Sequence, residues 1–287
     1  MKSSTPHRVH IEPTSFSLPI RNGIGQEGLL YSASSLIGRS HKVNQDSYAC
    51  RSPVFFAVAD GVGGGALGEV ASAMLISELS RLSVPKEAEV TKVLLHADKS
   101  IAERLEKEGQ GPGAAVCAAV WKLSEDFSQW LALSVGDCKI IVAKFLDGSW
   151  HVRWISVDQS YANTSTLPPP GVSPDSPANM VGCGMSMPAQ FNRIALAEND
   201  RVVLCSDGFY NSVSEPELLE MLNALPSPLP QSAAESWCLR ARTNGADDDV
   251  TVVLMEIAYP KKWSIVMRLI AVLALMVLSV TLMWLLM

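Results

Sequence analysis

The stretch VFFAVADGVGG, residues 54–64, is a strongly apolar run that breaks off at a carboxylate, Asp60. A short continuous apolar run bounded by a glycine-rich turn signal predicts a buried β-strand. A strand ending in Asp carries that carboxylate to the rim of its sheet. Two further runs repeat the arrangement: RVVLCSDGFYN (201–211) breaks at Asp207, and in GADDDVTVVLMEI (245–257) an acidic triplet containing Asp248 precedes the run. Hard divalent cations such as Mg2+ and Mn2+ take oxygen ligands of this kind, so the three aspartates predict a metal site assembled from distant parts of the chain. For any one of them an Asp-Gly turn is the simpler reading; their common placement is what favours metal.

Working outward, β-rich runs fall at about 54–59, 114–122, 130–135, 138–145, 150–157, 201–205 and 250–258, and Asp147-Gly148 between two of them is a hairpin turn signal. Helical periodicity falls at about 68–82, 86–108, 215–224 and 231–243. Two long helices after one early strand predict an α+β fold rather than strict βαβ alternation. The segment 161–189, rich in Pro, Ser and Gly, is too long for an ordinary connection and reads as either a lid or a disordered stretch. No internal repeat is evident.

At 287 residues and 48% hydrophobic content, the chain can bury a full core. The six cysteines are scattered without a C-x-x-C pair, and four lie in apolar runs, so they read as reduced packing residues of a cytosolic domain. The first 19 residues hold no apolar run of the signal-peptide type. From Leu269 to Met287, by contrast, 19 residues run without a charge, with Lys261, Lys262 and Arg268 before them and Trp263 and Trp284 near the two ends. That arrangement predicts a single transmembrane helix over 265–287 with the preceding domain in the cytoplasm. Setting those three cations aside leaves 20 basic residues against 29 acidic, a net of −9, which disfavours nucleic acid or an anionic lipid surface as the main partner.

In chain order the motifs are NQD (44–46), ADGVGG (59–64), SVGDCK (134–139), LCSDG (204–208) and DDDVT (247–251), each beside an apolar segment. Together they resemble the metal-dependent serine/threonine protein phosphatases of type 2C, the PPM family, in its bacterial form, over about residues 28–258. The resemblance implies two packed antiparallel sheets flanked by helices on both outer faces, an α-β-β-α sandwich, with residues 1–27 as an N-terminal extension. It implies two Mn2+ or Mg2+ ions at one end: Asp60 bridging both, the Gly61 carbonyl on one, Asp207 and Asp248 on the other. Asp46 would hold metal-bound water, and Asp137 matches the carboxylate that helps bind a third, weaker ion. Asn211, where some relatives have Asp, puts that third ion in question. The implied activity is hydrolysis of phosphoserine and phosphothreonine in proteins by water that two cations activate, with no nucleophilic side chain. Implied partners are phosphorylated proteins, and, from the membrane location alone, a cognate transmembrane kinase.

The chain departs from the pattern at His41, where relatives usually carry an Arg that grips the substrate phosphate. If the segment is a strand, Arg39 shares a face with His41; the two then share phosphate binding, with affinity falling as the imidazole loses its proton. Asp249 stands where many relatives have Asn, Gly65 replaces a His, and GPGAAV (111–116) varies their Gly-Thr segment. The remaining histidines, His7, His10, His96 and His151, lack zinc-ligand spacing. Two rivals stand beside the enzyme. Gly63, Gly65 and Gly68 fit the G-x-G-x-x-G spacing of a dinucleotide site, although Glu87 and Glu89 fall in a helical segment rather than at the end of a second strand. The other is a catalytically silent phosphatase fold acting as a membrane-tethered binding module; its usual sign, loss of a metal-ligating Asp, is missing.

Overall fold

The computed structural model describes residues 28–62, 67–107 and 113–258. The expected extension (1–27), the expected transmembrane helix (265–287), Gly63, Gly65 and the start of the 111–116 segment lie outside the described residues. Among the described residues, no helix is long and apolar enough to cross a membrane.

Among the described residues, ten strands run in the order β1 (Leu29–Leu36), β2 (Ser47–Arg51), β3 (Phe55–Val62), β4 (Ala114–Lys122), β5 (Gln129–Val135), β6 (Lys139–Leu146), β7 (Ser149–Ile155), β8 (Gln190–Ala195), β9 (Arg201–Cys205) and β10 (Val250–Ile257). Helices α1 (Gly68–Ser80) and α2 (Glu87–Lys107) follow β3; α3 (Asp207–Tyr210), α4 (Glu215–Ala224) and α5 (Ala233–Thr243) follow β9. The strands form two five-stranded antiparallel sheets, β1-β10-β9-β6-β7 and β2-β3-β4-β5-β8.

The layers follow from the two-residue side-chain period of a strand. Along β3, Phe56 and Val58 face the space between the sheets, where they meet Val202, Leu204, Val253 and Met255. Phe55, Ala57 and Ala59 face the other way, onto Leu75 and Leu79 of α1 and Leu94 and Ile101 of α2. On the second sheet Val203, Cys205, Val252 and Leu254 turn outward to Leu222 of α4 and Trp237 of α5. The result is the α-β-β-α sandwich. The β6–β7 hairpin forms as its Asp147-Gly148 pair predicts, both residues taking positive φ (52° and 85°), the conformation a two-residue primed turn demands.

Register then decides which chain ends share a pole. Cys205 at the end of β9 sits opposite Lys139 at the start of β6 and Val252 near the start of β10. Ala59, near the end of β3, is opposite Ser47 at the start of β2 and Cys117 in β4. The residues just beyond these points include Asp46, Asp60, Asp137, Asp207 and Asp248, so the antiparallel pairing gathers them at one end of the sandwich. β3 pairs antiparallel with β4, and Glu87 and Glu89 lie in the first turn of α2; no βαβ unit exists there for a dinucleotide.

Two expectations need correction. The 161–189 segment is not disordered: Ala115 and Val181 bridge, Ser160 and Pro177 bridge, and Asn179 and Val181 are fully buried. Asp98 of α2 pins it further, one carboxylate oxygen accepting from the amides of Gly182 (2.7 Å) and Gly184 (3.0 Å). Nor is the stretch around Arg39 and His41 a strand; residues 37–46 form bends and coil between β1 and β2, so the alternation that was to put both side chains on one face does not apply.

Candidate metal centre

Asp60 has the strand parity of Phe56 and Val58, so its carboxyl enters the gap between the sheets where that gap opens at the pole. The following glycine is required by packing rather than by a turn: Gly61 lies within β3, and a Cβ there would sit 2.2 Å from the Gly68 carbonyl oxygen. Gly208, after Asp207, is equally confined, its Cβ position lying 2.1 Å from the Asp249 carbonyl oxygen. These two contacts press β3 onto the start of α1 and the start of α3 onto the 248–249 backbone. The aspartates therefore project from crowded, rigid backbone.

Burial is the largest influence on their charge. It pushes Asp46 up to about 8 and Asp137 up to about 7. Burial also raises Asp60 well above the usual carboxylate range, and the negative charges of Asp46, Asp207, Asp137 and Asp248 raise it further. Asp207 is raised by burial and by Asp248, and the Asp60 carboxyl is hydrogen-bonded to it. Two buried carboxyls this close raise each other's proton affinity, and a cation between them offsets that negative charge. Three oxygens here, Asp46 Oδ1, Asp137 Oδ1 and Asp207 Oδ1, are buried without a hydrogen-bond partner. Buried carboxylate oxygens without partners at one pole suit a hard divalent cation; among the described residues, the side chains whose ligand atoms all lie within 4.8 Å of one another are His41, Asp248 and Asp249 rather than the expected Asp60, Asp207 and Asp248.

Asp46 is held firmly. Ser206 Oγ donates to its Oδ2 at 2.7 Å, Thr251 also hydrogen-bonds the carboxyl, and its own amide donates to Asn44 Oδ1 at 2.9 Å. Thr251 in turn shares a 2.7 Å hydrogen bond with Ser35, to which Asn44 Nδ2 donates at 2.8 Å. Asn211 Nδ2 donates to Asp207 Oδ2 at 3.3 Å, capping one oxygen that an Asp in its place would leave free. Lys139, almost fully buried, hydrogen-bonds Asp158, stands over the Tyr210 ring at 5.2 Å, and lowers the proton affinity of Asp137 and Asp207. Ser206, Thr251, Lys139 and Asp158 escaped the sequence reading. Ser206, Thr251 and Lys139 lie inside quoted motifs but carry no metal-ligand signature of their own.

Asp248 is half exposed; its Oδ1 is 3.6 Å from His41 Nδ1, while its charge reaches both Asp60 and Asp207. Asp249 is buried, accepting from the amides of Gly38 (2.5 Å) and Gln45 (2.7 Å) and contacting His41 Nδ1 at 3.0 Å. Arg39 lies apart from His41's partners: Nη2 donates to the Arg242 carbonyl at 3.1 Å, and Nη1 is 4.0 Å from Asp247. The shared grip of Arg39 and His41 on phosphate therefore has no common strand face to support it.

The chain is thus an α-β-β-α sandwich with a cluster of buried carboxylates at one pole. The protein-family model for protein phosphatase 2C matches residues 37–242. The chain belongs to that family, the metal-dependent serine/threonine protein phosphatases. It is 26% identical over 219 residues to the serine/threonine phosphatase stp of Listeria monocytogenes, covering 69% of this chain and 82% of that relative. It is 27% identical over 245 residues to the serine/threonine protein phosphatase PstP of Mycobacterium tuberculosis, covering 80% of this chain and 45% of the relative. The crystal structure of the M. tuberculosis phosphatase PstP/Ppp superposes with a TM-score of 0.67 at 23% identity, covering 81% of this chain and all of that one. The PstP catalytic domain in complex with two manganese ions gives 0.65 at 24% identity, covering 81% of this chain and 99% of that one.

The raised carboxyls predict a pH signature of the metal-free protein. A folded pKa above its unfolded value means the folded state holds more protons between the two values, so stability falls as pH rises from 3.8 towards about 8 for Asp46. Thermal unfolding in chelator should show a melting temperature that declines over that window, with Mn2+ raising it most at the upper end. A melting temperature in chelator that is flat or rises across the window contradicts the assignment.

Proposed function

We propose that this chain hydrolyses phosphoserine and phosphothreonine monoesters on proteins with two divalent cations, Mn2+ or Mg2+, held at the pole by Asp60, the Gly61 carbonyl, Asp207 and Asp248. The observation that carries the reading is the set of buried carboxylate oxygens on Asp46, Asp137 and Asp207 that have no hydrogen-bond partner. PstP, a relative with the same fold, was solved with two manganese ions. Asp137 takes a third ion weakly, since Asn211 occupies one Asp207 oxygen.

When bound, such cations supply Lewis acidity towards a phosphoryl group and bring water to its nucleophilic form near neutral pH. The chain's own residues do the rest. Asp60 enters from a strand whose backbone is locked against α1, so its two oxygens stay in a fixed direction. Asp46, with Oδ2 occupied by Ser206 and Oδ1 free, orients water through that free oxygen and accepts a proton there. Lys139, paired with Asp158, adds positive potential at Asp207 without reaching solvent, while at Asp137 the negative charge of Asp158 offsets it. Arg39 is exposed on the loop that also carries His41 and adds long-range attraction for an incoming phosphate dianion.

The apolar segment 265–287 tethers this domain to the inner face of a membrane, its substrates being phosphoproteins at that surface, with a transmembrane kinase among them. β10 supports this orientation: it runs away from the pole, from Val250 to Ile257, and Ala258 closes against Gly28 at the opposite end (2.9 Å). At about 3.3 Å per residue, a strand of this length turns the catalytic pole some ~25 Å away from the exit towards the tether.

The full chain with Mn2+ should hydrolyse p-nitrophenyl phosphate and a phosphothreonine peptide, lose both activities in EDTA, and lose more than about a hundredfold in kcat/KM on Asp60→Asn. Turnover that persists in chelator sinks the reading. Alkaline carbonate extraction of expressing cells should leave the full chain in the membrane pellet and release a variant cut after Ala258; full-length protein in the supernatant refutes the tether.

A further inference from the structure

His41 and Asp249, 208 positions apart, meet at the centre. His41 Nδ1 is 3.0 Å from Asp249 Oδ2 and 3.6 Å from Asp248 Oδ1. Among the described residues, His41, Asp248 and Asp249 are the set whose ligand atoms all lie within 4.8 Å of one another. Neighbouring ligands on an octahedral cation at ~2.1 Å stand about 3 Å apart, a spacing the His41–Asp249 pair meets and the His41–Asp248 pair, at 3.6 Å, approaches. The set is neither all acidic nor isolated. Asp46, whose buried Oδ1 has no partner, faces the same space closely enough for its charge to act on His41.

The three side chains are also prepared to different degrees. Asp249 is immobilised by the Gly38 and Gln45 amides, and its contact with His41 sets the plane of the imidazole. Asp248 is half exposed, and its Oδ1 accepts from the Asp249 amide at 2.7 Å. Both carboxylates face the same ring nitrogen, Nδ1, so a cation bound there would take the place of the proton in the His41–Asp249 contact.

We propose that the cation held by Asp248 is bound in this chain through a nitrogen–oxygen face: Nδ1 of His41 with the carboxylates of Asp248 and Asp249. This rests on the metal-dependent reading above and goes beyond it, because His41 becomes a metal ligand rather than a phosphate grip. An imidazole nitrogen suits Mn2+ and is a poor ligand for Mg2+, which keeps to oxygen. The centre therefore discriminates for Mn2+ more strongly than an all-oxygen site does.

The test is pulsed electron paramagnetic resonance of Mn2+ bound to the detergent-solubilised full chain, paired with Mn2+ and Mg2+ titrations. A directly coordinated nitrogen is expected. It changes on 15N-histidine labelling and disappears in His41→Ala, with Mn2+ affinity falling about tenfold and Mg2+ affinity nearly unchanged. His41 is partly exposed, so its truncation opens no core cavity. Asp249→Asn, which keeps an oxygen for the Gly38 amide, should weaken Mn2+ in the same sense. Bound Mn2+ without nitrogen coupling, or an unchanged Mn2+-to-Mg2+ affinity ratio in His41→Ala, overturns the proposal while leaving the metal centre standing. Failure of wild type to bind Mn2+, or binding indifferent to Asp60→Asn and Asp248→Asn, overturns both.

Discussion

Negative charge concentrated where water is scarce is the constraint around which this molecule is organised. Asp46, Asp60, Asp137 and Asp207 are each pushed towards the protonated form by burial, and each raises or is raised by a neighbour. Left to themselves they keep protons at a pH where free carboxylates have lost them. A divalent cation replaces those protons with a charge of the right size, and ion binding then becomes part of the free energy of the fold.

Rigid strands make that tension useful. In an open antiparallel arrangement the chain returns to the same pole after every second strand, so residues far apart in sequence arrive together without a long loop between them. The glycines complete the arrangement: at 61 and 208 the neighbouring backbone occupies the place a side chain needs, which fixes the aspartate beside each of them. Three hydrophobic layers hold the strands in register, one between the sheets and one under each helical layer. Precision at the pole derives from packing well away from it.

Much of this was readable in the chain and some of it was not, for identifiable reasons. Long apolar runs announced β4, β5, β6, β9 and β10 because two-sided burial removes polar residues; all nine residues of β4 are buried. β1 (LLYSASSL), β2 (SYACR) and β8 (QFNRIA) were missed because they are edge strands with polar or half-exposed faces. The four-residue α3 is too short to show a period. The 161–189 segment looked unstructured by composition, yet its order comes from a few polar fixings. Gln159 Oε1 accepts from the Gly136 amide and from Asn179 Nδ2, both at 3.0 Å, and no local pattern reports such contacts. At the centre, motif order brought the aspartates to notice. The pairing of His41 with Asp249 could not be seen, because it joins two departures from the family pattern that stand at opposite ends of the domain.

Sharing of a dinuclear cation site by the aspartates of one pole is the property on which everything else turns. Crystals of this chain grown with Mn2+ and measured at the manganese absorption edge test it most directly. The account predicts two anomalous peaks about 3.5–4 Å apart, with Asp60 touching both and Asp207 and Asp248 touching one. A map in which no peak lies within ligand distance of Asp60 contradicts it.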